Sequence, residues 1–258
     1  MGIAVRPLDR DTHVFALCPD SALMPASNLK VLVTAAALLD WDSSLVYHLD
    51  SLLARSKTPL HRRLRADSSF AESLGAVDRP DLRGSRYLVL ANRKSDNEVA
   101  NWLLAALARR AGRTPQSALE LALSRLGAPA AGLAVADGCG LSRRNRTTPA
   151  TLVAALARTR RSPAGAAFLS SLAEPGGIGT LRRRRFIYPH TLRAKTGFIN
   201  GVFALSGYLD APHETYVFSF LLNDCPSGTQ AYRLFDALLA DVYLWDAARA
   251  MGGNSPEN

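Results

Sequence analysis

Three short clusters carry residue types that could do chemistry. Ser27-Asn28-Leu29-Lys30 sets a hydroxyl and an amine three residues apart at the start of an apolar run. On a helix, that spacing puts both side chains on one face, close enough to touch. A lysine desolvated at the floor of a cleft loses its proton more readily, so Lys30 could serve as base to a nucleophilic Ser27. The plainer role for such a serine is a helix cap. Ser95-Asp96-Asn97-Glu98 opens a second amphipathic segment. Ser-x-x-Glu is the capping-box pattern, yet Ser95 could also relay a proton between two lysines, while the Asn97 amide could hold a peptide group. Lys195-Thr196-Gly197 lies in a strand-like run ahead of Asn200-Gly201. Glycine inside a strand marks a bulge or the close approach of another backbone. The plain expectation there is an edge bulge with a solvated lysine. The chemical one is a substrate lying along the strand, its carboxylate bound by Lys195 and Thr196. Only four of the 31 basic residues are lysines, and these clusters use two of them.

Such residues need a frame to bring them together. Residues 3–8 and 13–17 read as short strands about a turn at 9–12. Residues 28–39 place Leu29, Leu32, Val33, Ala36 and Ala37 at helical spacing, which predicts a mostly buried helix. Residues 41–90 look the least regular. A second amphipathic helix follows, with Val99, Trp102, Leu103, Ala106 and Leu107 on one face. Further helices are expected over 117–126, 149–158 and 163–172, the second started by Thr148-Pro149. Runs at 192–199 and 202–209 flank Asn200-Gly201, a strong hairpin signal, and a third run spans 215–222. A closing helix presents Tyr232, Phe235, Leu238, Leu239, Val242 and Trp245 on its apolar side. Strands at both ends with helices between predict an α+β fold. In it, the N-terminal hairpin joins the C-terminal meander in an antiparallel sheet of about five strands.

Composition removes several function classes. The 258 residues are 48% apolar and 21% charged, which excludes a disordered or fibrous chain. No apolar stretch approaches the ~20 residues that cross a bilayer, so no transmembrane segment is expected. No basic-then-apolar leader is visible, so no export signal is expected in this chain. Cys18, Cys139 and Cys225 form no CxxC pair, and the five histidines fall at no ligand spacing. Neither a metal nor another cofactor is expected. The net charge of +9 and the run Arg182-Arg183-Arg184-Arg185 raise nucleic-acid binding. No aromatic interleaving or helix-turn-helix pattern supports it. The reading is therefore no nucleic-acid partner but a solvated basic face, suited to anionic polymers of the cell envelope.

The order SxxK, SxN, KTG is the motif set of penicillin-interacting serine enzymes. Here the sequence resembles the penicillin-binding proteins, and among them the D-alanyl-D-alanine carboxypeptidase/endopeptidase family of low molecular mass, class C. The likeness extends to Met24-Pro25-Ala26 before the first motif, Lys94 before the second, and Asp137-Gly138-Cys139-Gly140-Leu141-Ser142-Arg143 between. Gly179-Thr180-Leu181 and Leu205-Ser206-Gly207-Tyr208 continue it. The resemblance implies a β-lactamase/transpeptidase-like domain over 1–258, with 41–90 a shortened stub where the family carries inserted domains. It implies catalysis by Ser27, Lys30 and Ser95, with substrate held by Asn97, Lys195, Thr196, Gly197 and Phe198. The substrate would be a peptidoglycan stem peptide, cut between its terminal D-alanines through an acyl-enzyme on Ser27. Backbone N–H groups of Ser27 and Phe198 would form the oxyanion hole. Penicillins, as β-lactam mimics of the dipeptide, would be covalent inhibitors. The setting would be the periplasm or cell envelope.

Two residues depart from the family pattern. Phe198 stands where a threonine or serine is usual, removing a hydroxyl that helps bind the carboxylate, and Cys139 replaces a serine. The competing readings are a β-lactamase or esterase on the same scaffold, which needs a carboxylate for fast deacylation, and an inactive module that only binds cell-wall peptide.

Overall fold

The structure is a computed structural model of the chain, and it describes residues 1–188 and 191–251. Five strands form one antiparallel sheet: β1 (Gly2–Pro7), β2 (Phe15–Leu17), β3 (Leu192–Ile199), β4 (Val202–Asp210) and β5 (Thr215–Leu222). Their order is β2-β1-β5-β4-β3, so the N-terminal hairpin does join the C-terminal meander. The Asn200-Gly201 turn fixes the β3–β4 register, with Ile199 opposite Val202 and pairing unbroken back to Leu192.

Both faces of this sheet are covered, and the period-two alternation of strands divides each sequence between them. On one side Ile3, Val5, Leu205, Phe218 and Phe220 pack with Phe235 and Leu239 of the closing helix α10 (Gly228–Met251). On the other side Ala4, Ala204, Tyr208, Val217 and Leu221 meet the helical layer. The middle of that layer is α1 (Leu29–Leu38), packed against α6 (Asn97–Ala111), α7 (Pro115–Leu126) and α8 (Pro149–Arg160). Helix α8 lies on β5 and β1. Its start is the one expected: Thr148 Oγ1 accepts from the Thr151 N–H, and Pro149 follows the cap. Helix α9 (Gly165–Ser171) completes this side.

Residues 41–90 differ from the sequence expectation. They carry α2 (Ser43–Arg55), α3 (Pro59–Ala66), α4 (Ser68–Ser73) and the start of α5 (Arg86–Asn92). Each of the first three begins on a side-chain cap, supplied by Asp42, Thr58 and Asp67. Thr58-Pro59 is the same cap-then-proline start that marked α8. Helices α3 and α4, with eight and six residues, are shorter than the window over which a helical period is read.

Candidate active site

Helix α1 does not begin at a capping serine. Ser27 instead lies in a 3-10 turn, Ala26–Asn28, that runs straight into α1, and no side chain caps either start. The turn is tightly held. Met24 N–H donates to Asn223 Oδ1 at 2.9 Å, and Asn223 Nδ2 donates back to the Met24 carbonyl at 3.1 Å. Ala26 adopts a positive φ of 46°, a conformation that costs a residue with a side chain on the order of 1–3 kcal/mol and persists only where its surroundings impose it.

One turn on, Lys30 is fully buried. Its Nζ donates to Ser27 Oγ at 2.9 Å, to Asn97 Oδ1 at 2.9 Å and to the Cys139 carbonyl at 2.6 Å. Those three acceptors take all three ammonium protons. Burial pulls the Lys30 pKa down to about 8, against the smaller upward pull of the Asp137 and Asp96 carboxylates. When one proton leaves, Asn97 Oδ1 and the Cys139 carbonyl still hold the amine, and its lone pair is left for the Ser27 hydroxyl. The expected serine–lysine pair is therefore in hydrogen-bond contact.

The Cys139 carbonyl was not anticipated as a member of the site. It comes from a loop folded around Asp137, whose carboxylate accepts from the Gly140 and Ser142 N–H groups at 2.6 Å each and from Asn145 Nδ2 at 3.0 Å. On the other side Gly138 N–H donates to Asn101 Oδ1 of α6 at 2.8 Å. The loop lies directly on the nucleophile turn: a methyl group added at Gly140 would sit 1.8 Å from the Ala26 carbonyl oxygen. Gly140 also has φ +84°, which a larger residue rarely adopts. Gly140→Ala is thus expected to cost about 3 kcal/mol or more, read as a fall in the urea midpoint at unchanged slope. The Cys139 thiol itself is buried, and burial raises its pKa. It packs as a neutral small group and has none of the thiolate character that makes cysteines reactive.

The second motif departs from the capping-box reading. Asp96, not Ser95, caps α6, its Oδ1 accepting from the Val99 N–H at 2.9 Å. Ser95 stands one residue outside the helix at φ +58°. There its Oγ accepts from Lys195 Nζ at 3.0 Å. Lys195 is not a solvated edge residue; it is fully buried and also donates to the Thr196 carbonyl at 2.7 Å. Burial first, and the Lys30 charge second, push its pKa far below the ordinary lysine value. Like charges repel, so charge on either lysine opposes charge on the other.

Gly197 marks a close approach rather than a bulge. A methyl group there would lie 2.8 Å from the Pro25 carbonyl and from Asn28 Nδ2, so β3 passes directly beside the turn that bears Ser27. β3 is also the edge of the sheet. Ala194 exchanges both backbone hydrogen bonds with Ala173 across that edge. Backbone groups alternate in direction along a strand, so Thr196 and Phe198 point the same way, past the point where Ala173 covers the edge. The Phe198 side chain is 58% exposed and tilts against Phe203. It helps line a cavity of about 310 Å³ with Thr180, Arg183, Thr196 and Tyr232. In the arginine run, Arg184 folds onto Asp236 at 2.8 Å, while Arg182, Arg183 and Arg185 are exposed.

The site residues thus fall into two linked groups. Ser27, Lys30 and Asn97 form one; Ser95, Lys195 and Thr196 form the other; Gly197 and Phe198 run along the strand between the nucleophile turn and open solvent. Among the described residues no cluster of histidine, cysteine and carboxylate side chains could hold a metal ion. No helix is long and apolar enough to cross a membrane among those residues.

This five-stranded antiparallel sheet, with helices on both faces, is the fold of the penicillin-binding and transpeptidase-like proteins. A peptidoglycan endopeptidase from Bdellovibrio bacteriovorus superposes with a TM-score of 0.70 at 12% identity, over 95% of this chain and 92% of that one. The same endopeptidase acylated by penicillin G matches with a TM-score of 0.69 at 14% identity. The chain belongs to the D-Ala-D-Ala carboxypeptidase 3 (S13) family, whose model matches residues 84–241. It is 36% identical over 146 residues to a D-alanyl-D-alanine carboxypeptidase of an Actinomadura species, a match covering 54% of this chain and 26% of the relative. With the D-alanyl-D-alanine carboxypeptidase DacB of Haemophilus influenzae it shares 29% over 147 residues, 53% of this chain and 31% of that protein. The matches therefore span about a quarter to a third of the length of these relatives.

Proposed function

We propose that the protein is a serine D-Ala-D-Ala carboxypeptidase acting on peptidoglycan stem peptides, with endopeptidase action on cross-links as the same chemistry on a larger leaving group. The carrying observation is the buried Lys30 amine, 2.9 Å from Ser27 Oγ and fixed by two further acceptors. Family membership supports the substrate class. The terminal carboxylate of the peptide binds at Lys195 and Thr196. A carboxylate beside Lys195 favours its ammonium form, and that charge, through the coupling of the two lysines, favours neutral Lys30. Ser27 Oγ then attacks the penultimate D-alanine carbonyl as its proton passes to Lys30. The oxyanion sits between the Ser27 and Phe198 N–H groups, donors of a kind whose loss costs about 3 kcal/mol. The proton travels through Ser95 to the amine nitrogen, the C–N bond breaks, and D-alanine leaves. Water then hydrolyses the Ser27 ester. Asn97 Nδ2 remains for the peptide amide, since its Oδ1 is taken by Lys30.

β-Lactams would follow the same first step, opening their ring onto Ser27. Fast release needs a free carboxylate to activate water. Asp137 is spent on the loop N–H groups, and Asp96 on the α6 cap and His61. A long-lived penicillin adduct is therefore favoured over β-lactamase activity. The catalytic unit would comprise the whole chain, 41–90 standing where relatives carry inserted domains. The cell envelope, where the substrate lies, would be the place of action. Release of D-alanine from a peptide ending in D-Ala-D-Ala, followed by chromatography, tests the substrate. The wild type should release it, and a folded protein that releases none from either this peptide or a cross-linked dimer would overturn the reading.

A further inference from the structure

His61 is a fully buried histidine that the chemistry above does not use. It comes from α3, in the segment between the first two motifs, and both ring nitrogens are engaged. Nε2 lies 2.8 Å from Asp96 Oδ2, and Nδ1 lies 2.7 Å from Ser56 Oγ. Ser56 in turn donates to Glu98 Oε2 at 2.8 Å, and the ring tilts against Trp102 of α6 at 5.3 Å. The residue it grips, Asp96, sits between Ser95 and Asn97. Asp96 is held three ways: its N–H donates to the Leu90 carbonyl at 2.8 Å, Oδ1 caps α6, and Oδ2 faces His61. Ser95 beside it holds a positive φ, and such a conformation lasts only where neighbours over-determine it.

We propose that His61 is a positioning residue that locks the Ser95–Asn97 turn in the geometry by which Ser95 reaches Lys195 and Asn97 reaches Lys30. Segment 41–90 thereby takes part in function without touching substrate. The catalytic half of this statement rests on the function proposed above; the structural half does not. A buried histidine that merely fills space would contribute to stability and leave the turn alone. His61 differs because its partner lies between two site residues, and because a displacement of about 1 Å in such groups can cost on the order of a hundredfold in rate.

The test uses the full chain with His61→Ala, His61→Gln and Ser56→Ala. Amide hydrogen exchange by mass spectrometry is read at residues 95–99 and, as a control, in α8 and β5. The acylation rate constant for a labelled penicillin is separated from its binding constant by titrating the drug. His61→Ala should exchange at 95–99 at least tenfold faster with the control regions unchanged. It should acylate ten- to a hundredfold more slowly per folded molecule, with binding altered less than threefold. His61→Gln, which keeps an amide N–H for Asp96, should recover to within about threefold of wild type. Should His61→Ala not fold, Ser56→Ala decides, with a three- to tenfold increase in exchange at 95–99 expected. Unchanged exchange there in the folded variants would overturn the proposal, as would an acylation rate that follows only the fraction folded. If wild-type Ser27 takes no label, the function proposed above fails, and the exchange data still decide the positioning role.

Discussion

Ser27→Ala is expected to lower D-alanine release by about ten-thousand-fold or more, as removal of a nucleophile does in other serine enzymes. The hydroxyl has one structural duty, accepting from the buried Lys30 amine. It caps no helix, and its hydrogen-bond partners are Lys30 and, at 3.4 Å, the Cys139 carbonyl. The variant should fold, less stable than wild type by about 1–3 kcal/mol for the Lys30 donor left without its acceptor. Lys195, Thr196 and Asn97 remain to bind the peptide, so its dissociation constant should change little while turnover disappears. A rate assay paired with calorimetric peptide binding separates the two. Loss of binding together with turnover would show that Ser27 had served only to shape the pocket.

The second large effect concerns the base. Attack requires neutral Lys30, so burial must raise the neutral fraction if the amine is to work near neutral pH. With its pKa at about 8, roughly one Lys30 in ten is neutral at pH 7, against about one in three thousand for an exposed lysine. The acylation rate should accordingly rise with pH through about 8 and then level off. The sign follows from the deprotonated form being the active one. Lys30→Met keeps much of the shape and removes the amine. It should slow acylation by about a hundred- to ten-thousand-fold and abolish the rise with pH. Stopped-flow acylation from about pH 6 to about pH 10 reads both. A wild-type profile that is flat, or that falls with pH, would assign the base elsewhere.

How much of this was legible in the sequence varies from residue to residue. The Ser27–Lys30 contact follows from helical spacing alone, and Asn200-Gly201 placed the β3–β4 hairpin and hence Lys195, Thr196 and Gly197 on a strand. The edge position of that strand follows once the N-terminal hairpin is joined to β5. The Cys139 carbonyl was hidden because a main-chain acceptor has no residue type; its only trace was the glycine on either side, Gly140 letting the loop press on Ala26 and Gly138 letting it press on α6. Asp96 displaced Ser95 as the cap because Ser95 adopts a left-handed conformation that carries it off the helix. No local pattern announces that turn. His61 carried no signal of its own, since its tie to Asp96 joins residues 35 apart in the sequence. Phe198 was visible as a missing hydroxyl, but its exposure and its place on the cavity wall required the register of β3.

The most direct measurement is to incubate the folded protein with a labelled penicillin, digest it and locate the label by mass spectrometry. One adduct of the intact drug's mass on the peptide containing Ser27, absent in Ser27→Ala, is the predicted result. Folded protein that stays unlabelled under conditions that label a penicillin-binding relative, or that carries the label on another residue, would contradict the assignment of Ser27 and Lys30 as an acyl-transfer pair.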